Sequence, residues 1–169
     1  MKKLCLAAVI VLMLSGCNTP ESFETISDSY IEPEIQPAQQ TSMILAEETV
    51  QIQQDTGNEK IYLCDDYCVV VQTFSAGDLD ATIRSVTGYP RDKLTVMERK
   101  TGGIDRYECV WVSAGEGGDQ VGRMVLLDDG NYHYALTVMA PADQAGELTD
   151  TWQLLVDSFT IGQPESTKG

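Results

Sequence analysis

The side chains suited to acid–base or nucleophilic chemistry are few in this sequence. His133 is the only histidine, so any mechanism that needs an imidazole must use it. In an alternating strand it lies on the face opposite Tyr132 and Tyr134, which is typical of a structural histidine. The sequence contains neither a Gly-x-Ser-x-Gly elbow nor a Ser-x-x-Lys motif. We therefore predict no catalytic residue and no enzyme; the enzymatic alternative would have to use Cys109 as its nucleophile.

A different thiol, Cys17, follows a stretch that is typical of export signals. Two lysines precede an unbroken apolar run over residues 4–14, and a small pair, Ser15-Gly16, follows. The run is too short to cross a bilayer, which takes about 20 residues. Leu14-Ser15-Gly16-Cys17 resembles the bacterial lipobox, whose cysteine is lipid-modified after cleavage. We predict a lipoprotein signal peptide over residues 1–16, lipid attachment at Cys17, and an extracytoplasmic, lipid-anchored position at a cell membrane or outer membrane. An ordinary signal peptide is the alternative.

Three other cysteines, Cys64, Cys68 and Cys109, remain for the exported part of the chain. Cys64 and Cys68 flank Asp65-Asp66-Tyr67. A three-residue hairpin loop would place the two thiols opposite each other, so we predict a disulfide between them. Two alternatives stay open: Cys109 pairs with one of the two, or all three cysteines are reduced.

Potential metal ligands are present but are poorly spaced. The cysteines do not form paired zinc knuckles, and the histidine is distant in sequence. The acidic runs at 65–66 and 128–131 lack the spaced ligands of a calcium loop and are typical of turns. The glycine-rich stretch at 115–119 lacks the Lys-Ser/Thr pair of a phosphate loop. We predict no metal and no cofactor.

The charge balance excludes some partners. The chain has 26 acidic and 11 basic residues, a formal net charge of −15, and removal of Lys2 and Lys3 with the signal takes it to −17. Nucleic acids and anionic lipid surfaces bind basic surfaces. We therefore expect no nucleic-acid partner, and contact with the membrane through the amino-terminal lipid.

Composition divides the mature chain into three parts. Residues 17–46 hold the lipidated cysteine and a stretch with three prolines, five acids and no basic residue, which predicts a disordered acidic tether. Residues 47–162 are predicted to form a single α+β domain of ordinary size. Residues 163–169 are a polar tail.

The periodicity of apolar residues predicts the elements of this domain. We expect strands near 49–53, 60–64, 68–74, 93–99, 106–113, 121–127, 132–139 and 160–161, and helices over 78–86 and 145–158. Asp78 is a suitable cap for the first helix. This order predicts an α+β fold in which two helices flank an antiparallel meandering sheet.

Three large aromatic residues stand on the apolar faces of these elements: Trp111, Tyr134 and Trp152. Core packing is the first interpretation, because aromatic side chains carry much of the buried area of a domain. A pocket between helix and sheet, lined by the same residues, is the alternative.

The element order, the strand at 130–138 and the final helix running into Val156-Asp157-Ser158-Phe159 resemble the PsbP-like fold. This superfamily comprises small α/β/α sandwiches of photosystem subunits and bacterial envelope lipoproteins, and the resemblance covers about residues 59–161. It implies a non-enzymatic domain that binds another envelope protein or assists its assembly, with no shared catalytic residues. A small-ligand or divalent-metal binding domain is the alternative.

Overall fold

The computed structural model describes residues 36–46, 50–115 and 117–162. Its elements are β1 (Thr41–Ser42), β2 (Gln51–Asp55), β3 (Glu59–Leu63), β4 (Cys68–Ser75), α1 (Leu79–Thr87), a 3-10 turn (Arg91–Lys93), β5 (Met97–Thr101), β6 (Ile104–Gly115), β7 (Gly118–Asp128), β8 (Tyr132–Pro141), α2 (Thr149–Ser158) and β9 (Thr160–Ile161). Neither helix in these ranges has the length and apolar character that a bilayer-spanning helix requires.

Seven of the strands form one antiparallel sheet in the order β2-β3-β4-β8-β7-β6-β5, while β1 and β9 pair separately. Strands β5 to β8 follow one another through hairpins. The chain enters this meander by crossing from β4 to the far edge through α1. The predicted α+β fold with an antiparallel sheet and two helices is confirmed.

The two helices lie on opposite faces of the sheet, which gives three layers. Alternation along the strands sends successive side chains to opposite faces. On the face that we call the α1 face, Ile83 packs with Trp111 and Met124. On the α2 face, Trp152 and Leu155 pack with the inward side chains of the central strands.

Helix α1 forms where the sequence predicts it. The Asp78 carboxylate accepts hydrogen bonds from the backbone N–H groups of Asp80 (2.9 Å) and Ala81 (3.4 Å), which satisfies two of the donors that a helix start leaves open. Gly88 ends the helix in the left-handed conformation, with φ of 80°.

Most predicted boundaries differ from the structure by one to three residues, and the largest differences lie at the starts of α2 and β5. Helix α2 begins at Thr149 rather than at 145, because hydrogen-bonded turns occupy the preceding residues and Gly146 disfavours helix. Strand β5 begins at Met97 rather than at 93, because the 3-10 turn follows Pro90.

The end of the predicted tether is part of the domain. Residues 39–45, which we call the strap, pair through β1 with β9, and Met43 and Leu45 pack against the core of the α2 face. The Ile44 N–H donates to Ser158 Oγ at 2.9 Å. The prediction of a disordered tether through residue 46 is therefore wrong for the strap, whose partners β9 and Ser158 lie more than 100 residues away in sequence.

Candidate functional site

His133 belongs to a buried polar group and not to an open site. Its Nδ1 lies 2.8 Å from Thr82 Oγ1, and its Nε2 lies 3.6 Å from Asp128 Oδ2. This order of hydroxyl, imidazole and carboxylate resembles a catalytic triad in composition. His133 is only 1% exposed and Thr82 only 8%, so a substrate has no path to either. The contacts are those of a histidine that joins α1 to β8.

Cys109 is equally inaccessible. It lies on the α1 face, 2% exposed, and burial raises its pKa to about 11. The thiolate is the reactive form of cysteine, so a thiol with this pKa is a poor nucleophile at neutral pH.

We expect Cys109 to resist iodoacetamide in the native protein at neutral pH and to react readily in the denaturant-unfolded protein. Peptide mapping by mass spectrometry would measure its modification separately from that of the other cysteines. Rapid, stoichiometric alkylation of Cys109 in the folded protein would contradict its burial and would restore it as a candidate nucleophile.

The predicted disulfide between Cys64 and Cys68 is absent from the structure, although both residues are described. The hairpin loop has two residues and not three, because the Cys64 N–H donates to the Tyr67 carbonyl at 3.0 Å and Leu63 lies opposite Cys68. Cys64 thus packs with Tyr67 against the core of the α2 face. The alternation of the strand directs Cys68 to the other face.

The three aromatic residues that the sequence highlights do not meet in one pocket. Trp111 packs in the α1-face core, whereas Tyr134 and Trp152 pack in the α2-face core. All three are buried, with exposures of 7%, 0% and 5% respectively. Within the described residues, Trp152 Nε1 is a buried donor without a hydrogen-bond partner.

Tyr134 holds the strap. Its hydroxyl accepts a hydrogen bond from the Gln39 N–H (2.9 Å) and donates to Asp129 Oδ2 (3.0 Å). Burial raises the pKa of Tyr134 to about 12, with the Asp129 carboxylate adding to the shift. Burial alone would raise the pKa of Asp129, but hydrogen bonds from the Asn131 and Tyr132 N–H groups outweigh it and lower that pKa.

Replacement of Tyr134 by phenylalanine is expected to lower the free energy of unfolding by about 2 kcal/mol, because two hydrogen bonds are lost. Hydrogen exchange of the strap amides should become faster than in the unaltered protein, whereas exchange in the central strands should change less. Tyr132→Phe is the matched control, because within the described residues its hydroxyl has no recorded hydrogen bond. Unchanged strap protection in Tyr134→Phe would show that the hydroxyl does not hold the strap.

The carboxylates of the acidic turn at 128–131 accept hydrogen bonds from the backbone of the same turn. Asp128 Oδ1 accepts the Gly130 N–H at 2.8 Å, and Asp129 Oδ1 accepts the Asn131 and Tyr132 N–H groups. Over the described ranges, no group of three or more His, Cys, Asp or Glu residues is placed to hold a metal ion. The carboxylates of this turn shape the β7–β8 hairpin.

The most unusual charge arrangement is a cluster that the sequence did not single out. Three of the five arginines of the chain, Arg99, Arg106 and Arg123, contact one carboxylate, that of Glu108. The Glu108 side chain is 6% exposed. We call these four residues the arginine cluster; it carries a local charge of +2 in a chain of net charge −15.

Strand register explains how the arginine cluster forms. On the α2 face Arg99 lies opposite Arg106, and Glu108 follows Arg106 two residues later. Arg123 reaches Glu108 from β7, where it lies opposite Val110. Burial alone would raise the pKa of Glu108, but hydrogen bonds and charges from Arg106 and Arg99 lower it below the ordinary 4.5.

The three arginines differ in what else they contact. Arg106 donates to the carbonyl oxygens of Val156 (2.6 Å) and Phe159 (3.4 Å), which ties β6 to the end of α2. Arg123 donates to Gln153 Oε1 at 3.2 Å. The Arg99 side chain is 61% exposed, and its one recorded partner among the described residues is Glu108.

Helix α2 covers the α2 face only in part. Beyond it, Met97, Val110 and Val112 are 59%, 55% and 56% exposed, and all three point to this face. A groove of about 260 Å³ beside Met97 and Val110 is also lined by Glu108 and Arg123. We call the surface formed by these three apolar residues with Arg99 and Arg123 the open face.

A weak signal for the arginine cluster was present in the sequence. The strand at 106–113 carries Arg106 and Glu108 two residues apart within an apolar and aromatic run, which places both charges on one face. Charged residues inside such a run are typical of a paired, partly buried site. Their arginine partners come from other strands and could be assigned only with the register.

No family model matches the chain, and no curated protein matches it in sequence. Among solved structures it is similar to LpqN of Mycobacterium tuberculosis, which is involved in cell envelope biogenesis (12% identity, 76% of this chain and 87% of that chain, TM-score 0.49). It is also similar to the Ran-binding protein Mog1p of Saccharomyces cerevisiae (11% identity, 73% of this chain and 95% of that chain, TM-score 0.46). A Pseudomonas aeruginosa protein of unknown function is similar at 12% identity, 78% and 89% coverage and a TM-score of 0.46. At these low identities and TM-scores, function has to be inferred from the residues of this chain.

Proposed function

We propose that the protein is a bacterial envelope lipoprotein, anchored outside the cytoplasm by lipid on Cys17, whose PsbP-like domain binds another envelope protein without catalysing a reaction. The lipobox-like sequence supports the anchor, although Cys17 lies outside the described residues. The resemblance of the element order to PsbP-like domains supports the binding role.

The observation that carries the binding role is the open face. Three large aliphatic side chains, each more than half exposed, stand side by side on the part of the sheet that α2 leaves uncovered. Exposed apolar groups next to one another, with polar residues around them, mark protein interaction surfaces more often than isolated ones do. The adjacent arginines also fit an interface, because arginine is enriched at interfaces and its planar guanidinium makes directional hydrogen bonds.

The test is site-specific photocrosslinking in cells that carry the intact lipoprotein. A photoreactive residue at Val112 should capture one abundant envelope protein, identified by mass spectrometry. The matched control is Ile52, which is 60% exposed on β2 at the other edge of the sheet and should capture little. Cys17→Ser should reduce the captured amount by releasing the protein or leaving it unprocessed. Equal capture at both positions, or none at Val112, would count against the proposal.

Small-ligand binding is the second candidate. It is favoured by the Trp152 Nε1 donor, which is buried and has no recorded partner within the described residues. A ligand that bonds this donor would raise the melting temperature of the protein and would lose that effect in Trp152→Phe. A screen of small carboxylates and sugars, which can accept a hydrogen bond from the indole N–H, would measure this shift in melting temperature.

A further inference from the structure

We propose that the open face recognises a carboxylate side chain on an extended, aliphatic segment of the partner protein, and that Arg99 and Arg123 bind this carboxylate. The proposal rests on the proposed binding function and specifies the chemistry of the partner. Three properties of the arginine cluster support it: its charge balance, its available N–H donors and its apolar neighbours.

Charge balance separates this cluster from the other ion pairs of the described residues. In the other Lys and Arg ion pairs of the described residues, each cation has at least one acid that it does not share with another cation. These pairs are Lys60 with Asp55, Lys100 with Asp105, and Arg91 with Asp80 and Glu98. Around Glu108 three cations share one acid. Asp157 lines a groove with Arg99 and Arg106 but makes no ion pair within the described residues. An anion placed here would therefore meet guanidiniums that share a single ion-paired acid.

Donor geometry indicates which arginines are available. Each guanidinium has five N–H donors in a fixed plane, which suits bidentate contact with a carboxylate. Arg106 uses donors on Glu108 and on two carbonyls at the end of α2, so its role is structural. Arg99 has one recorded contact and Arg123 has two, within the described residues, so both keep donors for a further acceptor.

The neighbours of these arginines indicate the rest of the ligand. Val110 lies directly opposite Arg123 on the adjacent strand, and Met97 lies opposite Glu108 between the two arginines. Their exposed side chains border the 260 Å³ groove that Arg123 also lines. An acidic residue flanked by aliphatic residues in extended conformation would bury these groups while its carboxylate meets the guanidiniums. A freely diffusing anion would leave them exposed.

The experiment uses the full chain in detergent micelles and two probe peptides, acetyl-Val-Glu-Val-amide and acetyl-Val-Gln-Val-amide. Each of the five arginines has one Nε–Hε group, which nuclear magnetic resonance would follow. We expect the Glu peptide to shift the Arg99 and Arg123 signals saturably, with a Kd at least about tenfold below that of the Gln peptide, since hydrogen bonds to an ionised carboxylate are stronger than those to a neutral amide. The Arg84 signal, from the exposed side of α1, is the internal control.

Variants provide a second measurement. Arg99→Gln combined with Arg123→Gln should weaken binding of the Glu peptide about tenfold or more, whereas Arg84→Gln should leave it unchanged. The comparison of the two peptides needs only the unaltered protein, so it tests carboxylate recognition even if the double variant is unstable. Equal affinities for the two peptides, or no saturable shift at Arg99 and Arg123, would overturn the proposal.

Failure of this proposal is distinguishable from failure of the proposed function. A partner captured at Val112 together with equal peptide affinities would retain the binding role and reject carboxylate recognition. Selective binding of the Glu peptide without any captured partner would retain the carboxylate site and reject an abundant envelope partner.

Discussion

Glu108→Gln is expected to lower the free energy of unfolding by about 3 kcal/mol, the lower end of what removal of one partner from a buried ion pair costs. The substitution keeps the size of the side chain but removes the only acid of the arginine cluster, so three guanidiniums face one another without a counter-charge. Urea unfolding followed by circular dichroism would measure it. Glu98→Gln, which breaks the exposed pair with Arg91, is the control, with an expected loss of about 0.5 kcal/mol.

The effect of Glu108→Gln should depend on pH. The pKa of Glu108 in the folded protein lies below its ordinary value of 4.5, so the ionised carboxylate stabilises the fold fully above that value. As the pH falls below 4.5 and through the folded pKa, the carboxylate takes up a proton and this contribution is lost. The stability difference between the natural protein and Glu108→Gln should therefore be largest at neutral pH and shrink in acid. A difference that stays constant down to strongly acidic pH would contradict the ion-pair account.

Gly122→Ala is expected to cost about 3 kcal/mol, at the upper end of overpacking effects. Gly122 lies opposite Trp111 on neighbouring strands, and the indole ring covers it. A Cβ atom added at Gly122 would lie 2.3 Å from Trp111 Cζ2 and 2.5 Å from Cε2, closer than non-bonded carbon atoms approach. The ring cannot easily move aside, because it is 7% exposed and packed within the core of the α1 face.

Two variants make the test of this contact specific. Gly77→Ala, where nothing lies within 4 Å of an added Cβ, should change stability by less than about 0.5 kcal/mol. Combining Gly122→Ala with Trp111→Leu should cost less than the sum of the two single changes, because the smaller side chain admits the methyl group. Additive losses in the double variant would show that the indole does not determine the requirement for glycine.

Local signals in the sequence were sufficient for much of the fold. Asp78 caps the start of α1, and Gly88 ends it. The turn at 128–131 joins two alternating strands into the β7–β8 hairpin. The same alternation correctly separates His133 from Tyr134 across the sheet. Each of these features depends on residues within a few positions of one another, which is why a single sequence sufficed.

The features that sequence reasoning missed depend on long-range register. A hairpin loop of two residues instead of three moves Cys64 and Cys68 to opposite faces, and no residue type in the loop distinguishes these lengths. The arginine cluster needs three strands to be aligned. The sequence of the strap resembles that of a polar linker. The residues that hold it in place, Tyr134 and β9, follow it by about 95 and 120 residues, so no local pattern indicates them.

The strap also determines how the domain responds to mechanical load. A pulling force on the chain upstream of Gln39 would act first on the bond to Tyr134, then on the two-residue β1–β9 ladder and on the Ile44–Ser158 bond. These few contacts would break before the seven-stranded sheet carries the force. Their rupture would open the groove of about 200 Å³ that strap residues form with Tyr62, Val71 and Phe159, and would expose these three side chains. Tension would thus release the strap and expose apolar surface before it reaches the strands that carry the arginine cluster and the open face.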